Sequence, residues 1–211
     1  MTTSMIIEPE ALANQLQCHD DIVIVDLGNS QRYTQGHIAD AIHVLPQRLL
    51  SGLMPATGKL APLHKLEVLF GDLGYIGNNQ HFIVYDDEGG GWAGRFIWTL
   101  DVIGHSNYSY MNGGLNAWMQ QGLPLEKTTA KIANIEPTKV ELTVNRDVIA
   151  SREYIEASLG NVNTVLWDAR SPEEFNGERR FSMRAGHIPG AVNYEWIRAM
   201  DADNGYRIKQ G

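Results

Sequence analysis

The chain has 211 residues, with 17 Lys and Arg against 25 Asp and Glu, and a formal net charge of −8. Its 43% hydrophobic and 20% charged residues are typical of a globular protein and exclude a disordered polar chain. No apolar run approaches the ~18 residues of a membrane-spanning helix. The chain lacks the basic stripe that nucleic-acid binding needs. We therefore expect neither a nucleic-acid partner nor a membrane partner.

The N-terminus and the cysteine content indicate the compartment. Residues 1–8 have neither the basic cluster nor the apolar core of a signal peptide, so we expect a cytoplasmic protein. The single cysteine, Cys18, excludes an internal disulfide and a cysteine-based zinc site. Cys18 follows a predicted helix and not a strand, so we interpret it as an ordinary thiol. We expect no metal and no cofactor.

Helices and solid apolar strands alternate along the chain. The predicted elements are a helix over 9–16, a strand over 22–25, a helix over 62–73, a strand over 82–85, a helix containing 96–100, a strand over 109–111, a helix over 115–121, a helix over 151–159 and a strand over 162–167. Continuous apolar strands are buried on both faces. The alternation therefore predicts an α/β fold with a parallel sheet.

An internal repeat is the most informative feature of the sequence. An apolar strand ends at Asp26 and is followed by Gly36-His37-Ile38, and a second strand ends at Asp168 and is followed by Gly186-His187-Ile188. The two Gly-His-Ile motifs match at an offset of 150, with 8 more residues between Asp and His in the second copy. Two copies of one unit predict two similar domains.

The expected domains are residues 1–125 and 148–211, joined by a polar linker over 126–147. The first copy continues for about 85 residues beyond its motif, whereas 24 residues follow His187. We therefore expect the second domain to be incomplete in this chain.

Two sets of motifs carry a family resemblance. The second copy reads Asp-x-Arg, an aromatic residue, then Gly-His-Ile-Pro-Gly-Ala, and residues 112–124 of the first read Asn-Gly-Gly-Leu-x-Ala-Trp followed by Gly-x-Pro. With these motifs the chain resembles the tandem-domain rhodanese family, particularly its bacterial thiosulfate:cyanide sulfurtransferases. The resemblance implies two rhodanese-like domains, each a parallel sheet flanked by helices. It also implies a small anionic sulfur donor and a thiophilic acceptor as partners.

In that family a cysteine opens a strand–loop–helix segment of the C-terminal domain and carries sulfur as a persulfide. Inward backbone N–H groups of the loop lower the thiol pKa. Asp86 stands at this place in the first copy, which makes that site degenerate. Equal spacing puts the second loop about 49 residues after His187, beyond Gly211. We therefore expect this chain to be inactive alone, with a complementary C-terminal fragment of the same protein bound to it.

Further candidate residues follow from the motifs. The structural-motif candidates are Asp26, His37, Arg95, Asp168, Arg170 and His187. The substrate-cleft candidates are Arg179, Arg180 and Arg184 in the 8-residue insertion, with Glu195 and Trp196 after the second motif. Glu174 stands where animal-type members of the family have an arginine, which favours thiosulfate over 3-mercaptopyruvate as donor.

Several alternatives remain open. Residues 89–94 match the dinucleotide-binding pattern Gly-x-Gly-x-x-Gly, although Asp87 and Glu88 would oppose a pyrophosphate. Residues 86–88 could form an acidic metal site, and we prefer a solvated loop. A rhodanese-like module without a cysteine could serve as a binding or regulatory unit, and a 3-mercaptopyruvate sulfurtransferase is a further possibility. A phosphatase-like relative would need a Cys-x5-Arg loop, which the sequence lacks.

Overall fold

The computed structural model describes residues 4–16, 22–127 and 138–210. Cys18 and residues 128–137 of the predicted linker lie outside the described residues. We call residues 4–127 the N-terminal unit and residues 151–210 the C-terminal unit.

The N-terminal unit alternates strands and helices. Its elements are β1 (Ile6–Ile7), α1 (Pro9–Gln15), β2 (Ile22–Asp26), α2 (Ser30–Gln35), β3 (Ile42–His43), α3 (Leu63–Asp72), β4 (His81–Tyr85), α4 (Gly91–Val102), β5 (Tyr108–Met111) and α5 (Gly114–Gln120). A short 3-10 turn at Pro46–Leu49 follows β3. The predicted strands that end at Asp26 and Tyr85 are confirmed.

The five strands form one parallel sheet in the order β1-β5-β4-β2-β3. β4 is central, and its residues Val84 and Tyr85 pair with Val25 and Asp26 of β2. Because the strands are parallel, the loops that follow β2 and β4 meet at the same edge of the sheet. The motif that begins at Asp26 therefore lies beside the acidic glycine-rich loop.

Helices cover both faces of this sheet. On one face Phe70 of α3 and Phe96 of α4 pack around Phe82 of β4, with ring centroids 5.8 to 6.2 Å apart. On the other face Leu12 of α1 and Trp118 of α5 are buried in a second apolar cluster. This double cover explains why β2 and β4 are continuous apolar runs.

The C-terminal unit has shorter elements. They are α6 (Arg152–Ser158), β6 (Trp167–Asp168), α7 (Pro172–Asn176), β7 (Val192–Asn193), β8 (Met200–Asp201) and β9 (Arg207–Ile208), with 3-10 turns at Trp196–Ala199 and Ala202–Asn204. β6 pairs with β7 in parallel, and β8 pairs with β9 antiparallel. The Ser151 hydroxyl accepts the Tyr154 N–H and so caps the start of α6.

The strand predicted over 162–167 is wrong in extent, because only Trp167 and Asp168 form the strand. β2 lies between β3 and β4, whereas in the described part of the chain β6 has β7 as its one neighbour. Val162, Val165 and Trp167 are 94%, 76% and 61% exposed. An apolar run becomes a strand only where a neighbouring strand satisfies its backbone groups. Among the described helices, none is long and apolar enough to cross a bilayer.

Candidate functional site

Each unit contains a histidine turn of the same geometry. The His37 ring stacks on Tyr33 at 3.9 Å, and its Nδ1 lies 2.9 Å from the Tyr33 carbonyl oxygen. The His187 ring stacks on Phe175 at 3.6 Å, and its Nδ1 lies 2.7 Å from the Phe175 carbonyl oxygen. Both histidines make local contacts that shape the turn after the first helix of the motif.

Asp26 and Asp168 end corresponding strands in different surroundings. Asp26 is buried, and its Oδ1 accepts the Gly28 N–H at 2.7 Å. Asp168 accepts from Arg170 Nη2 at 2.6 Å, and the same nitrogen donates to the Gly186 carbonyl oxygen at 2.9 Å. Burial raises the pKa of Asp26, whereas the hydrogen bond from the Arg170 guanidinium lowers the pKa of Asp168.

We expect the two carboxyl groups to titrate on opposite sides of the ordinary value of 3.8. Because the pKa of Asp26 is raised, the contribution of this group to the stability of the fold is fully present below pH 3.8. That contribution is lost as the pH rises through the folded-state pKa. Because the pKa of Asp168 is lowered, the contribution of this group to the stability of the fold is present above pH 3.8. That contribution is lost as the pH falls through the folded-state pKa.

An NMR titration of the carboxyl carbons measures both pKa values. Arg170→Ala is expected to return the pKa of Asp168 towards its ordinary value and to leave the pKa of Asp26 unchanged. A pKa of Asp26 below its ordinary value would contradict this explanation, because burial would then not dominate.

The loop between β4 and α4 closes around a carboxylate. The Asp86 side chain is fully buried, and its oxygens accept five backbone N–H groups at 2.8 to 3.2 Å. Oδ1 accepts those of Glu88, Gly89 and Gly90, and Oδ2 accepts those of Trp92 and Ala93. Because the last two donors belong to the first turn of α4, the carboxylate also faces the positive end of the helix dipole. The loop is an anion cradle that Asp86 itself fills.

This geometry shows that the preferred interpretation of a solvated acidic loop is wrong for Asp86, whereas Glu88 is exposed. Although Glu88 is exposed as a whole, partial burial of its carboxyl group and the carboxylates of Asp86 and Asp87 raise its pKa. Gly89 and Gly90 have φ values of 102° and 103°, which lie in the left-handed region that glycine adopts freely. The glycines therefore serve to wrap the loop around Asp86. Within the described residues, no three His, Cys, Asp or Glu side chains are placed to hold a metal ion.

A cleft of about 200 Å³ lies beside this loop at the carboxyl ends of the strands. Asn29, Gln47, Trp92 and the acids Asp87 and Glu88 are among the residues that line it. Asp87 Oδ1 accepts the Asn29 N–H at 3.2 Å. Carboxylates at the rim repel small anions, so this cleft is unsuited to an anionic sulfur donor.

A larger open cavity of about 830 Å³ lies in the C-terminal unit. Asp168, Arg170, Arg184 and His187 are among the residues that line it. The charge of Arg170 is paired with Asp168, and its Nη1 lies 4.0 Å from Glu174 Oε1. Arg184 is the substrate-cleft candidate that the structure places on this cavity.

The other four substrate-cleft candidates lie elsewhere. The Arg179 guanidinium lies 4.7 Å from the centroid of a neighbouring phenylalanine ring, and Arg180 is exposed. Glu195 precedes the 3-10 turn that begins at Trp196. The Trp196 ring faces the N-terminal unit, where its Cη2 lies 3.4 Å from the position of a Cβ built on Gly91. The described structure therefore does not bring the five candidates together around one cavity.

Arg95 has polar and aromatic partners within the N-terminal unit. Its Nη2 donates to the Gly58 carbonyl oxygen at 2.9 Å, and its guanidinium lies 4.8 Å from the centroid of the Trp98 ring. Burial lowers the pKa of Arg95. These contacts tie α4 to the segment that follows β3.

Sequence reasoning missed the residues that join the two units. Asn112 Oδ1 accepts the Ile208 N–H at 2.8 Å, and Arg207 Nε donates to Glu8 Oε2 at 3.3 Å. The Asn-Gly-Gly motif marks Asn112 in the sequence. Nothing in the sequence marks Arg207, because its partner lies 199 positions away.

These features define an α/β protein whose parallel sheet carries an anion-cradling loop at the N-terminus of a helix. The family model for the Rhodanese-like domain matches residues 8–121 and 151–209. The chain belongs to the rhodanese-like domain family.

Relatives of this chain include two thiosulfate sulfurtransferases. The chain is 45% identical over 205 residues to a thiosulfate sulfurtransferase of Azotobacter vinelandii, and the match covers 97% of this chain and 74% of the relative. It is 44% identical to a thiosulfate sulfurtransferase of Pseudomonas aeruginosa, and this match also covers 97% of this chain and 74% of the relative. Among solved structures it is similar to SseA of Escherichia coli, described as a 3-mercaptopyruvate sulfotransferase, with a TM-score of 0.83 and 25% identity over 99% of this chain and 80% of SseA.

Proposed function

We propose that the protein transfers sulfane sulfur from thiosulfate to a thiophilic acceptor such as cyanide, through a cysteine persulfide. The observation that carries the proposal is the cradle of five N–H donors around Asp86. A cysteine at the same point of such a loop would hold a thiolate and then a persulfide anion. The similarity to two thiosulfate sulfurtransferases over 97% of the chain supports this donor.

The proposed reaction has two half-reactions. The thiolate attacks the outer sulfur of thiosulfate, the sulfur–sulfur bond breaks, and sulfite leaves with the electron pair. Cyanide then attacks the terminal sulfur of the persulfide, so that thiocyanate forms and the thiolate is restored. Ping-pong kinetics are expected, because the first product leaves before the second substrate binds.

The N-terminal unit is proposed to be non-catalytic. Asp86 occupies the position of the nucleophile, and a carboxylate cannot carry sulfane sulfur. Cys18, the one cysteine of the chain, follows α1 and not a strand. We therefore propose that the sulfur-carrying cysteine lies outside these 211 residues, in a rhodanese-like unit to which the C-terminal unit belongs.

A further segment is proposed to complete the C-terminal unit. In the N-terminal unit β4 pairs with β2 along five residues and carries the cradle loop. At the corresponding edge of β6 the described structure has no strand, and Trp167 and Val192 are 61% and 54% exposed. A strand–loop–helix segment like 81–102 would bury these apolar side chains. Mass spectrometry of the purified protein tests for a complementary fragment.

The environment of Arg170 bears on the choice of donor. Its charge is shared between Asp168 and Glu174, so little of it is left for the carboxylate of 3-mercaptopyruvate. Arg184, at the same cavity, is the proposed contact for thiosulfate. The likeness to SseA keeps 3-mercaptopyruvate as the alternative donor, and a comparison of kcat/KM for the two donors decides between them.

The activity test compares two proteins. The 211-residue chain is expected to form no thiocyanate from thiosulfate and cyanide. The same chain joined to the part of the Azotobacter vinelandii relative that it does not cover is expected to turn over. Cys18→Ser is the control variant and should leave both results unchanged. Thiocyanate formation that Cys18→Ser abolishes would overturn the proposed location of the nucleophile.

The filled cradle also favours a second candidate, a non-catalytic binding or regulatory module, because no sulfur can be loaded at Asp86. A folded, reduced joined protein that forms no thiocyanate would support this module and reject the enzyme. For either function we propose a cytoplasmic location, which cell fractionation tests.

A further inference from the structure

The outer side of the glycine-rich loop after β4 is covered by the C-terminal unit. A Cβ built on Gly89 would lie 3.1 Å from Tyr206 Cδ1, and one built on Gly91, where the loop enters α4, would lie 3.4 Å from Trp196 Cη2. Both aromatic residues belong to segment 196–208, which contains two 3-10 turns and the β8–β9 pair. The loop is therefore a contact surface as well as a cradle.

Polar contacts fix segment 196–208 beside the loop. The Ile208 N–H donates to Asn112 Oδ1 at 2.8 Å, and Asn112 Nδ2 donates to Glu8 Oε1 at 2.6 Å. Arg207 Nε donates to Glu8 Oε2 at 3.3 Å, and the Arg207 side chain is only 11% exposed. Glu8 and Asn112 directly follow β1 and β5, so the segment is held at the same sheet edge as the cradle.

We propose that Asp86 is an internal anion that fixes the loop in the shape that seats segment 196–208, so that the N-terminal unit positions the C-terminal unit. Without the carboxylate, five N–H groups of the loop and of the first turn of α4 lose their acceptor, which is costly for buried donors. The loop would rearrange to reach other acceptors, and the surface beneath Tyr206 and Trp196 would change with it. This role does not depend on sulfur transfer.

The first test compares Asp86→Ala with Asp87→Asn. Both variants remove one negative charge, but among the described contacts the Asp87 carboxylate accepts a single hydrogen bond, from the Asn29 N–H at 3.2 Å. Asp86→Ala is expected to lower Tm by about 5 °C or more, and Asp87→Asn by less than about 2 °C. In Asp86→Ala the Ile208 amide should exchange its hydrogen at least about tenfold faster than in the wild type. This increase should exceed any increase in the exchange rate of the Val84 amide of β4.

Anion rescue separates the cradle from general stability. Sodium formate should raise the Tm of Asp86→Ala above its value in sodium chloride of equal ionic strength and should restore protection of the Ile208 amide. The wild-type protein should show no such difference between the two salts. Equal Tm losses in the two variants, or exchange of Ile208 that only parallels Val84, would overturn the proposal.

A titratable replacement keeps the proposal testable if Asp86→Ala does not fold. In a Cys18→Ser background, Asp86→Cys places a thiol among the same five donors. The cradle is expected to lower the thiol pKa from about 8.5 to below about 7, and Tm should rise with pH through that value. The pH dependence of thiolate absorbance measures the pKa, and a value at or above about 8.5 would contradict the proposed cradle.

Discussion

Gly114→Ala is expected to lower the free energy of unfolding by about 3 kcal/mol or more, because the residue has a left-handed backbone and touches the cradle loop. Its φ is 56°, and a Cβ built there would overlap the Asp86 carbonyl oxygen. That oxygen accepts the Leu115 N–H at 2.9 Å, which joins the cradle loop to α5. A side chain at this position must separate the two elements. Denaturant unfolding measures the loss.

Gly122→Ala is the matched control for this prediction. Gly122 also has a left-handed backbone, with φ at 67°, but a Cβ built there has no heavy atom within 4 Å. Its replacement should therefore cost only the backbone strain of about 1–2 kcal/mol. Equal losses in the two variants would show that the contact with Asp86 contributes nothing. The difference between the two losses therefore measures how much stability depends on having no side chain before Leu115.

Phe70→Ala is expected to lower the free energy of unfolding by about 3–5 kcal/mol. Phe70 is fully buried, and its ring packs against Tyr75, Phe82 and Phe96 with centroids 5.5, 6.2 and 5.8 Å away. The variant leaves a cavity between α3, α4 and the sheet that rigid neighbours cannot fill. Calorimetry or denaturant unfolding of the N-terminal unit's transition measures the loss.

Phe181→Ala is the matched control in the C-terminal unit. Phe181 is 73% exposed, so its removal from this chain should change stability by less than about 0.5 kcal/mol. A loss comparable to that of Phe70→Ala would contradict the described exposure. In the joined protein of the activity test, a larger loss than in the 211-residue chain is expected if the completing segment covers Phe181.

The strongest patterns in the sequence predicted the strands that are buried on both faces of the sheet. The apolar runs that end at Asp26 and Tyr85 became β2 and β4, because the parallel sheet buries both sides of each. The run at 162–167 has the same apolar character, yet the structure has only two residues of strand there. Composition is therefore sufficient for a strand only where tertiary contacts supply its neighbours.

The sequence did not predict the shortest elements or the opposite pKa shifts of Asp26 and Asp168. β1 is two residues long and exists because Ile6 and Ile7 pair with β5, about 104 positions away. α2 begins where the Asn29 side chain accepts the Gln31 N–H, a local cap without an apolar stripe. The pKa values of Asp26 and Asp168 shift in opposite directions from similar motifs, because one is buried and the other has Arg170 beside it.

The sequence by itself determined the parallel α/β fold and the paired histidine turns, since each follows from local pattern and residue chemistry. The place of Asp86 at the position of a nucleophile is what the family resemblance implies. Only the tertiary structure decided that Asp86 is buried within five N–H donors and that Tyr206 and Trp196 lie over its loop. Those outcomes depend on which distant segments meet at one sheet edge. Burial and packing there arise from long-range contacts that no local pattern encodes.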